Sequence, residues 1–438
     1  MAPALTLTPT LALALALTLT LTLTLTLTLA LALALALALT DTPLVGGPLK
    51  RDDLDFGIHQ FPGEELHQSL TQLREAGPLV ETRFMNMPAY AITRYEPLLA
   101  AFRDGERFPP ERIYQMMFEP ICGRTFQTMT GRDHVIRRRL ATPAVRADAV
   151  RKQDENQIIS LANELIDDFP SDGEVDFVKH FTQLFPFIII SRLLGVPRDA
   201  EREFHRWAQA LLRFAEDHAR AVAANAELTA YLQPIVAARR SKPRNDIISD
   251  LVHAEVDGKR FTDEEVLSHV RLIFSAGAGT VHDAMGNLFY HLLLRPDLWE
   301  AIKRDPSMRF GVVEELLRFE TSVPVLPRTS AAHSIEFESV TIPPNSFMLF
   351  AIASANRDPD FFPDPHAFKT DRPPKPIMTT FGPGPRACPG MHLARKELAL
   401  VLDVVLERLP NLKLLDPEAG QPVGAVMRGP QTLPVATG

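Results

Sequence analysis

Cys388 lies in a short segment rich in glycine and proline, and its surroundings favour a metal-binding thiolate. Residues 381–390 read FGPGPRACPG, and a predicted helix, Met391 to Leu409, follows at once. The glycines allow the backbone to approach a flat ligand closely. A cysteine directly before a helix N-terminus meets unpaired backbone N–H groups and the positive end of the helix dipole, which both favour the thiolate. Such a thiolate suits the axial position of a haem iron.

The chain contains one other cysteine, Cys122, among its 438 residues. Two cysteines exclude a disulfide scaffold and a site of four thiolates, and they favour a reducing, cytoplasmic compartment. An isolated cysteine is most often a buried structural residue, and we assign that role to Cys122 because its neighbours carry no supporting chemistry. The formal net charge of -8, without a long basic stretch, argues against nucleic acid as a partner.

Residues 262–294 are predicted to form one long helix. Thr262 and Glu265 have the spacing of a capping box, and Pro296 follows the end of the helix. The middle of the helix reads AGAGTV over residues 276–281, and each glycine inside a helix costs about 1 kcal/mol relative to alanine. A close approach to a haem, with a local kink that opens a groove for dioxygen, would offset this cost. A tight crossing of two helices is the alternative explanation.

The rest of the chain is predicted to be mainly helical with a small β region. Apolar residues recur with helical spacing near residues 157–168, 200–219, 221–240, 262–294, 308–320 and 391–409. Extended segments are predicted at Ala89–Thr93, Ser334–Thr341 and Phe347–Ala351. A long loop runs from Asn356 to Phe381, and a loop of that length inside a compact domain is usually functional or packed tightly on the core.

The first forty residues differ in composition from the rest of the chain. Residues 4–40 consist of Leu, Ala and Thr apart from Pro9, and the first charge is Asp41. We interpret this low-complexity repeat (1–40) as a segment without a role in the fold, followed by a single domain over residues 41–438. A membrane anchor is the alternative, because the repeat exceeds the roughly 20 apolar residues that cross a bilayer. A secretory signal is disfavoured, because no Lys or Arg precedes the apolar run.

The cysteine segment matches, position for position, the haem-loop signature of the cytochromes P-450, Phe-Gly-x-Gly-x-Arg-x-Cys-x-Gly. Glu315-x-x-Arg318 lies upstream at a distance typical of that family, and the stretches NRDP at 356–359 and FPDP at 362–365 lie between them. The chain resembles the family from about residue 50 to 438. The resemblance implies a mainly α, prism-shaped fold with a small β region, one b-type haem (heme b, iron protoporphyrin IX) and oxygenase activity.

The resemblance also assigns roles to individual residues. Cys388 would be the proximal iron ligand, with Phe381 packed beside it and the backbone at Gly382 and Gly390 close to the haem. The residues that would bind the haem propionates are His134, Arg138, Arg328 and Arg386. A core-facing ion pair of Glu315 and Arg318 would lock the cysteine loop, with His366 or Arg372 as the third member.

On the oxygen side the chain departs from the family's usual Ala-Gly-x-(Asp/Glu)-Thr-(Thr/Ser). Ala276, Gly277 and Thr280 follow this pattern, and the resemblance makes Thr280 the residue that steers oxygen and protons. Gly279 stands where the acid is expected, and Val281 stands where a second hydroxyl is usual. The acid and the alcohol together deliver protons to bound oxygen, so this departure puts the standard proton relay in question.

Three explanations of the departure stay open. Asp283 or His282, one turn further on, acts through water, or the substrate supplies a polar group. In the third explanation the protein is not an ordinary monooxygenase but uses peroxide or reduces nitric oxide, as relatives with an altered acid position do. The rival from another class of protein is a haem-binding sensor without turnover.

The implied activity needs electrons, and the chain shows no fused flavin or ferredoxin domain. We therefore expect a ferredoxin and a ferredoxin reductase, or a similar redox partner. Basic residues predicted to dock an acidic ferredoxin are Arg132, Arg137, Arg139, Arg395 and Lys396.

The predicted substrate is a small hydrophobic molecule, such as a terpenoid, steroid, fatty acid or aromatic compound. The candidate lining positions are mostly apolar, and core packing is the alternative role for each of them; they are residues 108–118, Ile273, Phe274 and residues 323–326. The chain resembles soluble bacterial members of the family, so we expect a cytoplasmic protein. Membrane association would arise only through residues 1–40.

Overall fold

The computed structural model describes residues 54–152, 155–171, 173–198, 201–212 and 218–438. The repeat at residues 1–40 lies outside the described residues, so its interpretation stays a prediction. Among the described residues, no helix combines the length and the apolar character needed to cross a bilayer.

The described chain is mainly helical, as the apolar spacing predicts. Its α-helices are α1 (Glu65–Ala76), α2 (Tyr95–Arg103), α3 (Pro110–Met117), α4 (Glu119–Cys122), α5 (Gly131–Ala141), α6 (Ala147–Lys152), α7 (Glu155–Asp167), α8 (Phe185–Leu194), α9 (Glu201–Leu212), α10 (His218–Ser241), α11 (Ile247–His253), α12 (Asp263–Leu293), α13 (Pro296–Arg304), α14 (Arg309–Phe319), α15 (Ile352–Ala355) and α16 (Met391–Arg408). A π-helical turn spans Val178–Thr182. The helix predicted at 200–219 is α9, which ends at Leu212, and residues 213–217 lie outside the described part.

The strands are short and lie mostly in the second half of the chain. They are β1 (Leu79–Phe84), β2 (Met87–Ile92), β3 (Glu174–Asp176), β4 (Leu326–Thr329), β5 (Ile335–Phe337), β6 (Val340–Ile342), β7 (Phe347–Phe350), β8 (Lys413–Leu414), β9 (Pro422–Val423), β10 (Gly429–Pro430) and β11 (Pro434–Ala436). A four-stranded sheet has the order β1-β2-β7-β4, in which β2 and β7 are parallel and the other pairs are antiparallel.

The prediction of one continuous extended segment at residues 334–341 is wrong, because the chain reverses direction between two short strands there. Strands β5 and β6 form an antiparallel hairpin. Its turn residues Glu338 and Ser339 both have positive φ angles, 49° and 61°. Such a turn usually contains Gly, Asn or Asp, and this sequence offers none of them there.

Helix α12 crosses the core as one uninterrupted helix, and its predicted start is confirmed. Thr262 and Glu265 form both hydrogen bonds of a capping box. A Cβ atom at Gly277 would lie 2.7 Å from Cδ1 of Ile190 on α8. Gly277 therefore allows the two helices to pack closely. For this glycine the tight crossing of two helices, which the sequence analysis left as the alternative, accounts for the residue.

Glu315 is a buried carboxylate on α14 that holds the long loop after α15. It accepts hydrogen bonds from Nε and Nη2 of Arg318 at 2.8 and 2.7 Å. It also accepts from Nε of Arg372 at 2.9–3.0 Å and from the backbone N–H of Lys369 at 2.8 Å. Arg372, and not His366, is therefore the third member of this cluster.

Two further residues tie the loop to itself and to the core. Arg318 donates to the carbonyl oxygens of Asn356 and Pro365 at 2.9 and 3.0 Å. The side chain of Asn356 accepts from the backbone N–H of Thr379 at 2.7 Å and donates to Oγ1 of Thr380 at 2.9 Å. The start of the loop is thus fixed to the residues directly before Phe381, where the cysteine segment begins.

Replacing Glu315 with alanine should lower the free energy of unfolding by about 3–5 kcal/mol, because the Arg318 guanidinium would stay buried without a counter-charge. Denaturant unfolding together with the haem-to-protein ratio would measure this effect. The matched control is Glu314→Ala, which breaks the more accessible pair with Arg395 on α16 and should cost under about 1 kcal/mol. Equal losses for the two variants would contradict the role assigned to Glu315.

Candidate active site

The cysteine segment is a closed turn that packs on α2. The backbone N–H of Cys388 donates to the carbonyl oxygen of Phe381 at 2.8 Å. Gly382 and Gly384 have φ angles of +63° and +130°, which side chains rarely allow. A Cβ atom at Gly384 would lie 2.9 Å from the carbonyl oxygen of Phe102. These glycines therefore bring the turn against α2 and fix the direction in which the cysteine points.

The thiol of Cys388 is accessible although protein surrounds it. Burial raises the pKa of this thiol, while the backbone N–H groups of Gly390 and Met391 and the guanidinium groups of Arg138 and Arg395 act in the opposite direction. The backbone N–H groups at the N-terminus of α16 favour the thiolate, as expected, but burial has the larger effect on the pKa of the thiol. A metal cation bound by a thiol deprotonates it outright, so this environment suits a sulfur that bonds to a metal.

Four cationic or potentially cationic side chains lie together beside the cysteine turn. Arg386 donates to backbone carbonyl oxygens at 2.6–3.3 Å, and Arg138 donates to the carbonyl oxygen of Ala387. Arg328 is buried, and its guanidinium lies 3.4 Å from the hydroxyl of Tyr114. Buried His134 completes the group, and its Nε2 has no hydrogen-bond partner among the described residues.

The members of this group affect one another's pKa values. Burial, Arg386 and Arg138, in that order, lower the pKa of His134 to about 4. Burial is also the largest cause that lowers the pKa of Arg386, and the charges of Arg328 and Arg138 contribute. Among the described residues, the carboxylate recorded within ion-pair distance of these side chains is Glu111, 3.7 Å from Arg386.

This surplus of positive charge, on the buried Arg328 and the partly buried Arg138 and Arg386, indicates an anion-binding site. Buried guanidinium groups are costly unless an anion neutralises them. Arginine binds carboxylates strongly through charge-assisted hydrogen bonds, and the unpaired Nε2 of His134 offers one more donor. The two propionates of a haem whose iron faces Cys388 carry the charge that this cluster lacks, so the residues present fit the cofactor.

One face of α12 is accessible in the middle of an otherwise buried helix. Its members are Ile273, Ala276, Thr280 and Asp283, which recur every three or four residues. The hydroxyl of Thr280 donates to the carbonyl oxygen of Ala276 at 3.0 Å. Gly279 is buried beside this face and contributes no side chain to it.

Two predicted substrate-lining residues belong to the core instead. Phe108 packs edge-on against Phe337 and Phe350, with ring centroids 5.0 and 5.8 Å apart. Phe274 packs in the same way against Phe187 and Phe204, at 5.7 and 5.4 Å. The apolar pattern could not separate these roles, because core and lining positions use the same residue types.

Other predicted lining positions remain accessible. Met116 is 53% exposed, and Ile273 and Val323 are partly exposed. A pocket of about 520 Å³ lies along α3 and α4 and is lined by Gln115, Glu119, Pro120, Arg124 and Thr128. This mixed polar pocket does not include the cysteine or the accessible face of α12, and we assign it no role.

Two residues on α3, which the sequence analysis included only among the candidate substrate-lining positions 108–118, lie beside the cationic cluster instead. Glu111 and Tyr114 both lie next to the cationic cluster, at Arg386 and Arg328 respectively. Their spacing of three residues places them on one face of a helix, which is a signal that the sequence contains. The partner of that face, however, lies more than 200 residues away in the chain.

Comparisons with known proteins agree with this fold and site. The cytochrome P-450 family profile matches residues 56–306 and 310–419. Cytochrome P-450 107B1 of Saccharopolyspora erythraea is 30% identical over 395 residues, which cover 86% of this chain and 96% of that protein. Steroid C26-monooxygenase of Mycobacterium tuberculosis is 31% identical over 360 residues, covering 79% and 94%. The structure of cytochrome P-450 CYP109Q5 from Chondromyces apiculatus superposes with a TM-score of 0.79 at 28% identity, covering 87% and 97%.

The fold and the cysteine site together define a haem-thiolate enzyme. The chain belongs to the cytochrome P-450 family. It is a monooxygenase, an oxidoreductase that binds a b-type haem. As a member of this family it relies on a redox partner and acts on a hydrophobic substrate. The family, the fold class, the activity and the cofactor predicted from the sequence are thereby confirmed.

Replacing Arg328 with leucine should speed haem loss at least about tenfold, because a hydrogen bond to a charged group contributes about 1.5–3 kcal/mol. Transfer of haem to an excess of apomyoglobin would measure the rate. The control is Arg132→Leu, which should leave the rate unchanged. The side chain of Arg132 is exposed, and its guanidinium lies 3.6 Å from the carboxylate of Asp257. A wild-type rate for the Arg328 variant would show that this residue does not bind the cofactor.

Proposed function

We propose that Cys388 is the proximal ligand of the haem iron and that the enzyme inserts one oxygen atom of O2 into a hydrophobic organic substrate. The observation that carries this assignment is the accessible thiol surrounded by protein, with the N–H groups of Gly390 and Met391 at its sulfur. These donors hold a sulfur anion in place and limit the charge that it passes to a bound metal. Bound haem supplies the activation of dioxygen.

The residues around Cys388 support and orient the cofactor in this proposal. Phe381 packs beside the cysteine, with the guanidinium of Arg395 4.5 Å from its ring centre. Gly382 and Gly390 let the backbone come close to the porphyrin plane. Arg138, Arg328, Arg386 and His134 would hold the two propionates. The pKa of His134, lowered to about 4, keeps its ring neutral at pH 7. A neutral imidazole can donate one hydrogen bond to a propionate oxygen.

The accessible face of α12 forms the oxygen and substrate side. Ala276 leaves space there because its side chain is a single methyl group. Thr280 presents a hydroxyl that can accept and pass on a proton, while Gly279 leaves the neighbouring position without an acid. Ile273, together with Met116 and Val323, supports a hydrophobic substrate because these accessible side chains are apolar.

The carbon monoxide difference spectrum of the dithionite-reduced protein tests the ligand. The full-length protein should show the strongly red-shifted Soret band of a thiolate-bound haem. Cys388→Ser should abolish this band, because the strong sulfur donor is gone. The matched control is Cys122→Ser, since that buried cysteine lies beside Ser275 and should not affect the band. A band that survives in the Cys388 variant would refute the assignment.

The redox partner in this proposal is an acidic ferredoxin, supplied with electrons by a ferredoxin reductase. Four of the five predicted docking residues have acidic partners of their own: Arg132 with Asp257, Arg137 with Glu265, Arg395 with Glu314 and Lys396 with Glu155. The two that are exposed both lie on α5, namely Arg132, whose pair with Asp257 is itself exposed, and Arg139. We therefore assign docking to Arg132 and Arg139.

Arg139→Glu should slow reduction by an acidic ferredoxin several-fold at low ionic strength, and the difference should fade as salt screens the charges. Stopped-flow reduction at several salt concentrations would measure this. Arg83→Glu, an exposed charge reversal on β1, serves as the control and should behave like the wild type. Equal reduction rates for the Arg139 variant and the wild type at low ionic strength would contradict docking at this surface.

Residues 41–438 form one functional domain in this proposal, and the protein acts in the cytoplasm. The family match, which extends from residue 56 to 419, supports the single domain. The low cysteine content and the bacterial relatives support the location.

A further inference from the structure

Asp283 is the only titratable residue on the accessible face of α12 that also contains Ala276 and Thr280. It follows Thr280 by three residues, so the two side chains are neighbours on the helix surface, with Cβ atoms about 5–6 Å apart. One water molecule spans such a distance. Gly279, where the family's acid is expected, and Asp283 are thus about one helical turn apart in α12, and Thr280 lies between them in the chain.

Among the described residues, the ionisable group recorded near the carboxyl of Asp283 is His282, whose Nε2 lies 3.9 Å from Oδ1, beyond hydrogen-bond distance. Burial alone raises its pKa to about 8. Strand β10 packs directly on it, and a Cβ atom at Gly429 would lie 2.5 Å from Oδ1 of Asp283. Among the described residues no hydrogen-bond donor is recorded at this carboxyl group. At neutral pH it is therefore largely a neutral acid, which has a proton to give.

Charged groups on the neighbouring elements are directed elsewhere. On the β9–β10 side, the guanidinium of Arg428 binds Glu320 at 2.8 Å. On the π-helical turn, Lys179 is exposed and His180 bonds through Nδ1 to the carbonyl oxygen of Asp176 at 3.1 Å.

His282 offers a route by which Asp283 is reprotonated. Its Nε2 lies 3.9 Å from Oδ1 of Asp283, and its Nδ1 shares a hydrogen bond with Oγ1 of Thr182 at 3.0 Å. The His282 side chain is 18% exposed, so the imidazole connects the carboxyl to solvent. An imidazole exchanges protons readily near neutral pH.

We propose that Asp283 is the proton-relay residue of the oxygen side, acting through Thr280 in place of the acid that is absent at Gly279. The carboxylic acid gives its proton through a water to the Thr280 hydroxyl oxygen, and the hydroxyl releases its own proton toward the reacting oxygen. The carboxylate then takes up one proton from solvent through His282, which restores the starting state. This proposal rests on the function proposed above.

A carboxyl on an apolar wall could instead pair with a cationic group of a substrate. A carboxyl that is mostly protonated at neutral pH is a poor partner for a cation and a good general acid. The two roles make opposite predictions for Asp283→Asn: loss of proton delivery in one and loss of substrate binding in the other.

Infrared difference spectra between the wild type and Asp283→Asn test the protonation state without turnover. The wild-type spectrum should contain the band of a protonated carboxyl at pH 7, and this band should disappear with a midpoint near pH 8. The measurement uses the full-length holoenzyme. A carboxyl that is already ionised at pH 6 would overturn the proposal.

Turnover provides the second measurement. Asp283→Asn should lower product formed per reductant consumed about tenfold or more, since general acids contribute roughly 10²–10⁴-fold to rates. It should also remove the fall in wild-type rate as pH rises through 8, where the acid form is lost. Asp283→Glu should keep both properties, and Gly279→Asp in the Asp283→Asn background should restore the coupling of reductant to product.

Asp263→Asn is the matched control, an exposed aspartate in the first turn of the same helix that should behave like the wild type. Unchanged coupling and pH profile in Asp283→Asn, with a normal carbon monoxide band, would overturn the relay alone. Lost substrate binding with intact coupling would also overturn it, in favour of a substrate contact. A wild-type protein without the red-shifted band would overturn the proposed function, and the relay with it.

Discussion

Residues 356–390 contain no helix or strand, so the path of this loop depends on side-chain bonds, above all those of the buried carboxylate Glu315. Both arginine partners of Glu315, Arg318 and Arg372, also bind backbone carbonyl oxygens of the loop, so one anion fixes several turns at once. Buried ion pairs contribute little net stability compared with apolar packing. Here the ion pairs fix the path of the loop. The sulfur of Cys388 has to lie at a set distance from α12 so that a flat cofactor can fit between them.

The interior of the molecule separates two electrostatic environments. Beside the cysteine turn, guanidinium groups outnumber carboxylates, and the environment favours anions. On the accessible face of α12, burial favours the neutral form of Asp283. A cofactor with carboxylates at one edge and a reactive centre fits these two environments. Its carboxylates need positive charge nearby, whereas the reaction at its centre needs a protonated acid.

Much of this arrangement could be read from the sequence because it is local. The helix containing Thr280 begins where its capping box predicts, and the cysteine turn owes its shape to glycines that are adjacent in the chain. Distance in sequence set the limit. Arg372 could not be distinguished from His366 as the partner of Glu315 until the loop between them was folded, and Phe274 looked like a lining residue because nothing local shows that Phe187 and Phe204 cover it.

The parallel pairing of β2 with β7 has a consequence for how the protein is made. Ala89 pairs with Phe347, so β2 presents an open edge on the ribosome until more than 250 further residues have been synthesised. Contacts so distant in the chain form slowly, since closing a large loop costs entropy before any bond forms. An open strand edge is also a template for aggregation. Slow translation before residue 347 would therefore prolong the time for which this edge stays open.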